Sequence, residues 1–280
     1  MAMLKQRVIT AVVMASLFLA AIAYMPMVGL ALVFGILVGL GAWEWSILVG
    51  FRHAAARGLY VSLVLAALVT VYFYCQLGNE PTPLKVQPIL GGACLWWSIA
   101  LLWIKGFPAS AMFWQSMAAR SAMGLLVLVP GWTAAVYLLS FPQGGLLMVV
   151  LVIAVASADI GAYFSGKYFG KHKLALRVSP AKTWEGFWGG VAACAVLAVL
   201  LWSQLPDSAT HIGLVAVLVV TIITGLASVI GDLTVSMVKR QSGVKDTGSL
   251  LPGHGGILDR LDSLCAAAPA FALGLLLIGW

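Results

Sequence analysis

The chain has 280 residues, of which 62% are hydrophobic and 9% charged, and a formal net charge of +7. A soluble domain carries about 25% charged residues, so a water-soluble globular fold is excluded. Apolar runs recur along the whole length, each near the ~20 residues that a bilayer-crossing helix needs, and the short alternating strands of a membrane barrel are absent. In such a protein the positive excess belongs to cytoplasmic loops, which collect Lys and Arg, so no nucleic-acid partner is needed to explain it.

The predicted elements are nine spans: 8–24, 27–50, 58–77, 88–104, 121–140, 145–166, 186–205, 211–231 and 263–280. The first resembles a signal peptide, with Lys5 and Arg7 ahead of an apolar run, but a second apolar run follows at once and favours a retained hairpin. One set of connecting segments holds 15 of the 16 basic residues, and the opposite set holds only Lys85. This asymmetry puts the N-terminus and the two long loops, 167–185 and 232–262, in the cytoplasm. The expected fold is an all-α polytopic membrane protein of about nine transmembrane helices, forming a single domain over 1–280. The spans of 1–140 serve mainly as scaffold, and 145–280 is the catalytic portion with a cytoplasmic-facing site.

Single residues inside this scaffold stand out by their cost. Trp43, Trp45, Trp184 and Trp188 lie near span ends, as interfacial tryptophans do, whereas Trp96 and Trp97 fall nearer mid-span and pack between helices or face lipid. Glu44 would pair with a cation inside the bundle or snorkel to the surface. Asp159 sits late in an apolar span, where a carboxylate needs a partner, a metal or water. The cysteines (Cys75, Cys94, Cys194 and Cys265) lack metal spacing and lie in or near apolar runs, so they read as small hydrophobes, and a Cys75–Cys94 disulfide is not expected.

The polar chemistry gathers in two places. Ser179-Pro180 suits a helix start, with Ser179 as N-cap, and Lys182 and Thr183 would add a cation and a hydroxyl where helix N–H groups attract phosphate. The stretch from Asp232 to Asp262 holds 8 of the 25 charged residues. Asp232, Ser236, Lys239, Arg240 and Gly243 recur at steps of three or four, so they share a face if the eighth span continues as helix. A carboxylate and a basic pair on one face suit a metal–phosphate site. The glycines around His254 allow close backbone approach and an anion nest, and Asp259 and Asp262 share a face at the head of the last span. Asp232, Asp259 and Asp262 together are hard oxygen donors suited to Mg2+, and zinc is disfavoured for lack of Cys or a second His at ligand spacing.

The segment Ser236–Asp262 resembles the signature of the phosphatidate cytidylyltransferases, or CDP-diacylglycerol synthases. Its fixed positions are filled by Ser236, Lys239, Arg240, Lys245, Asp246, His254, Gly255, Gly256, Asp259, Arg260 and Asp262. The Ser179–Gly186 segment and the stretch from Asp159 to Lys171 look like two further blocks of that family, and the span count is similar. Many members carry His at the position of Ser249, so that side chain is given no role. The resemblance implies transfer of a cytidylyl group from CTP to phosphatidate, giving CDP-diacylglycerol and pyrophosphate, with a divalent metal. It implies Asp232 and Asp259 as metal-holding acids. Lys239, Arg240 and Arg260 then take phosphates, with Asp246, His254 and Asp262 orienting those groups. Ser179, Lys182, Thr183, Ser236, Lys245, Gly255 and Gly256 bind substrate. The bacterial inner membrane is the expected location. A homodimer is implied by resemblance only, and a second, monovalent ion is left open. Two rivals differ in kind. A CDP-alcohol phosphatidyltransferase would carry a D-G-x-x-A-R pattern that is not found here, and a transporter would place its site near the bilayer midplane.

Overall fold

A computed structural model of the protein describes residues 2–78, 81–205, 211–248 and 255–280, with backbone alone for 2–8. The expected spans all appear as helices: α1 (Ala2–Tyr24), α2 (Met27–Val49), α3 (Ala54–Tyr74), α4 (Pro83–Gly106), α6 (Met117–Leu139), α7 (Gly144–Phe169), α8 (Trp184–Ser203), α9 (Leu214–Gln241) and α10 (Leu258–Leu277). A four-residue helix, α5 (Ala111–Trp114), precedes α6 and was not foreseen. Among the described residues, eight helices are long and apolar enough to cross a membrane; α1 contributes a shorter apolar run, Ile9–Tyr24. The protein is a multi-pass, all-α membrane protein. Its four cysteines are free thiols, and Cys75, Cys194 and Cys265 are buried.

The first long loop departs from its expected form. Ser179 does not cap a helix: Ser179–Thr183 is a strand, β2, paired antiparallel with β1 (Lys173–Ala175). Pairing across the loop overrides the local Ser-Pro signal, and the helix start moves to Trp184. Thr183 is its N-cap, with the Oγ1 accepting from the Gly186 N–H at 3.1 Å. The Glu185 carboxylate then accepts from the backbone N–H groups of Lys171 and His172 and pairs with His172 Nδ1 at 2.6 Å. These bonds fold the hairpin back onto the end of α7.

Small residues let α7 and α8, and α9 and α10, approach closely. Side chains at Gly186 and Gly190 would run into the Ala162 and Ala158 carbonyls of α7, the close-contact mode of membrane helices. On α9, a Cβ at Gly231 would meet the Asp262 carbonyl and Ala266 of α10. That contact sets Asp232 beside the head of α10. As expected, α9 does not stop where its apolar run ends: its 28 residues span about 42 Å, longer than a hydrocarbon layer of ~30 Å. It closes in a Schellman motif, with Gly243 at φ +74° and the Gly243 and Val244 N–H groups donating to the Arg240 and Lys239 carbonyls.

The N-terminal spans clasp this end. The Leu48 carbonyl of α2 accepts from Arg120 Nη1 of α6 at 2.7 Å and from the Ser242 hydroxyl at 2.9 Å. Trp45 is fully buried, with its indole donating to the Arg120 carbonyl, so the interfacial reading fails for it; Trp43, Trp184 and Trp188 are exposed. Trp96 and Trp97 pack inside. Enlarging Gly231 tests the α9–α10 contact. Gly231→Leu should cost ~1–3 kcal/mol and lower the thermal midpoint of the detergent-solubilised protein. Gly91→Ala, where an added Cβ meets nothing within 4 Å, should not lower it.

Candidate active site

The acids of the site come from three helices. Asp232 lies on α9, within electrostatic range of both Asp159 on α7 and Asp262 on α10, and Asp259 is within range of Asp262. Asp232 Oδ2 holds Lys182 Nζ at 2.6 Å, which joins α9 to β2. Asp259 Oδ1 holds Lys239 Nζ at 2.7 Å, which joins α10 to α9. Both partners of the second bridge are largely buried, with side-chain exposures of 11% and 8%. A pair so placed is worth having only if the remaining lone pairs are also met. They are: Asp259 Oδ2 accepts from the Thr247 and Gly256 N–H groups, both at 3.1 Å.

The expected helical face on α9 holds for Asp232, Ser236, Lys239 and Arg240, whereas Gly243 falls past the helix end in the left-handed cap. Ser236 Oγ donates to Asp232 Oδ1 at 3.2 Å, one turn back, so it steadies the carboxylate. Arg240 Nε donates to the Val178 carbonyl at 3.2 Å and fastens the hairpin turn to α9. Lys245 and Asp246 are exposed beyond the helix end. Gly255 takes φ +82°, but the Gly256 N–H expected to serve an anion nest is taken up by the protein's own Asp259. Arg260 is exposed and within electrostatic range of Asp159. Asp262 is buried and accepts from the Ser263 N–H at 2.7 Å. His254 lies outside the described residues.

Asp159 was singled out from its cost alone, and it lines a cleft. Asp159, Lys167, Lys182 and Thr183 border a space of about 360 Å3 between α7, the hairpin, α8 and α9. A second cleft of about 530 Å3, lined mainly by apolar side chains, shares Leu174, Phe187 and Val229 with it and carries Lys105 and Arg177. Thr183 is buried and committed to its N-cap, and Ser179 is half-buried on β2; of the expected trio, Lys182 faces the acids.

The donor set suits a hard divalent cation. Asp232 and Asp259 each already hold a cation, the ammonium of a lysine, on one carboxylate oxygen. Among the described residues no three acids, histidines or cysteines stand grouped to hold a metal. Glu44 was not foreseen as part of this region. It is 2% exposed and does not snorkel, and among the described residues it pairs with no cation; its carboxylate accepts from Thr247 Oγ1, Ile257 N and Leu258 N.

Comparison with known proteins identifies the family. The cytidylyltransferase family matches residues 5–278. The chain is 43% identical over 278 residues to a phosphatidate cytidylyltransferase of Pseudomonas aeruginosa, covering 99% of both chains. It is 38% identical over 286 residues to a phosphatidate cytidylyltransferase of Haemophilus influenzae, covering 96% of this chain and 98% of the other. A phosphatidate cytidylyltransferase of Brucella suis is 36% identical over 273 residues, covering 96% and 92%. With its acids and lysines drawn from α7, the hairpin, α9 and α10, and with matches running from end to end, the chain belongs to the cytidylyltransferase family.

Proposed function

We propose that the protein transfers the cytidylyl group of CTP to phosphatidate, forming CDP-diacylglycerol and releasing pyrophosphate, at the cytoplasmic face of a bacterial inner membrane. The observation that carries this reading is the convergence of Asp232, Asp259 and Asp262 with Lys182 and Lys239 at the α9–α10 contact, in a chain related along its whole length to phosphatidate cytidylyltransferases. The gathering of basic residues on one side supports the cytoplasmic orientation.

The chemistry asks little of a base. A phosphate oxygen of phosphatidate is already anionic. It forms a bond to the α-phosphorus of CTP while the bond from that phosphorus to the α–β bridging oxygen breaks, and the electron pair leaves with pyrophosphate. Catalysis is then positioning and neutralisation of charge. Asp232 and Asp259 would hold Mg2+, which when bound supplies neutralisation of phosphate charge. Lys182 and Lys239, bridged to those acids without substrate, turn their ammoniums to phosphate oxygens when CTP is present. Arg260 and Arg240 add guanidinium contacts, and Asp262 stays buried against the α9–α10 seam. The adjoining apolar cleft, with Lys105 and Arg177 on its lining, supports a substrate that is greasy at one end and anionic at the other.

The direct test supplies purified protein with labelled CTP, phosphatidate and Mg2+. Pyrophosphate and a lipid-linked CMP should appear together, and pyrophosphate release without phosphatidate would overturn the reading. Chelation should stop turnover and added Mg2+ restore it. Asp232→Asn and Asp259→Asn should each reduce turnover roughly 100-fold or more, the scale of losing a preorganised charge contact. Both variants should still insert and fold, as checked by size-exclusion profile. Near-normal activity in either removes that acid from the metal.

A further inference from the structure

We propose that Glu44 of α2 is a positioning residue for the reaction: it clamps both ends of the glycine loop and, through Thr247, fixes the carboxylate of Asp259. This rests on the activity proposed above and adds to it a residue from the N-terminal half of the chain.

Glu44 lies 203 residues before Thr247, yet it meets both flanks of the loop that joins α9 to α10. Its Oε2 accepts from the Thr247 hydroxyl at 2.9 Å on one flank and from the Leu258 N–H at 2.8 Å on the other. Its Oε1 accepts from the Ile257 N–H at 3.1 Å. Ile257 and Leu258 stand at the head of α10, where N–H groups have no partner within the helix and the dipole favours an anion. The backbone closes tightly around this carboxylate, because side chains at Gly248 or Gly256 would collide with it.

A carboxylate this buried is costly to install unless its oxygens are met, and three donors meet them. What it secures is local. Thr247 donates its hydroxyl to Glu44 and its N–H to Asp259 Oδ2, so Thr247 bridges the two carboxylates. The Gly256 N–H, next to the clamped Ile257, is the second donor to that same oxygen. The position of Asp259 is therefore dictated by two loop flanks that Glu44 holds together. α2 is itself pinned one turn further on, where the Leu48 carbonyl takes Arg120 and Ser242.

The test uses the full chain with Glu44→Gln, Thr247→Val, Thr247→Ser and the Glu44→Gln/Thr247→Val double variant. Glu44→Gln places an amide N–H against a donor; Thr247→Val deletes a single hydroxyl at nearly constant shape. Both should raise the Mg2+ concentration for half-maximal turnover and lower kcat, by about 10- to 100-fold for Glu44→Gln, the range seen when a group supporting a metal-holding residue is lost. Thr247→Ser should recover most of the Thr247→Val loss, and the double variant should be no worse than Glu44→Gln alone. Amide hydrogen exchange without substrate gives a readout independent of activity: Ile257 and Leu258 should exchange faster in Glu44→Gln. Unchanged protection there overturns the clamp, whether or not the wild-type protein releases pyrophosphate. A lowered melting temperature with kcat and Mg2+ requirement intact, or losses that multiply in the double variant, would overturn the link to Asp259.

Discussion

A carboxylate carried to the edge of a hydrocarbon layer must find a cation or a row of hydrogen-bond donors, because nothing else there repays its lost hydration. The arrangement of α9, α10 and the hairpin follows from that demand. Asp232 takes Lys182, Asp259 takes Lys239 and two backbone N–H groups, and Glu44 takes three donors. Each solution joins separate elements, so the groups that would handle phosphate also tie the site together. The close approach at Gly231 makes this possible, since a wider α9–α10 gap would separate Asp232 from the head of α10.

The lysine–carboxylate bridges also bear on how a substrate is received. Each ammonium rests on one carboxylate oxygen, so a phosphate that took the ammonium would leave that oxygen to another cation. The Lys239–Asp259 bridge is the more buried of the two, and the Lys182–Asp232 bridge the more open, with exposures of 25% and 34%. The open bridge borders the Asp159 cleft through Lys182. That ordering puts the more exposed ammonium at the cleft and the more buried one at the helix seam.

What could be read in advance was what repeats locally. Helical spacing put Asp232, Ser236, Lys239 and Arg240 on one face, and the Ser236–Asp232 bond bears it out. The cost of a lone acid in an apolar run drew attention to Asp159. Local signals failed where a distant partner decides. Ser179-Pro180 has the form of a helix start, but pairing with β1 makes it a strand and moves the cap to Thr183. The glycines suggest a nest for a ligand anion, and the protein's own Asp259 takes the Gly256 N–H. Glu44 carried a visible signal, an acid between two tryptophans in an apolar span, but its partners lie more than 200 residues away and are mostly backbone N–H groups. No side-chain pattern encodes those.

This changes how the N-terminal half should be regarded. A division into scaffold before residue 140 and catalytic portion after it rests on where the charged residues cluster. Yet the described flanks of the α9–α10 connection offer N–H groups that need acceptors, and Asp259 takes those of Thr247 and Gly256. The acceptor for the Ile257 and Leu258 N–H groups comes from across the bundle, from Glu44 on α2, one turn before the Leu48 carbonyl that Arg120 and Ser242 hold. A loop rich in glycine gains close approach to a ligand and gives up the side chains that would order it. Order must then be imposed from outside, and the buried Glu44 carboxylate does so at the loop's two flanks, Thr247 and Ile257–Leu258.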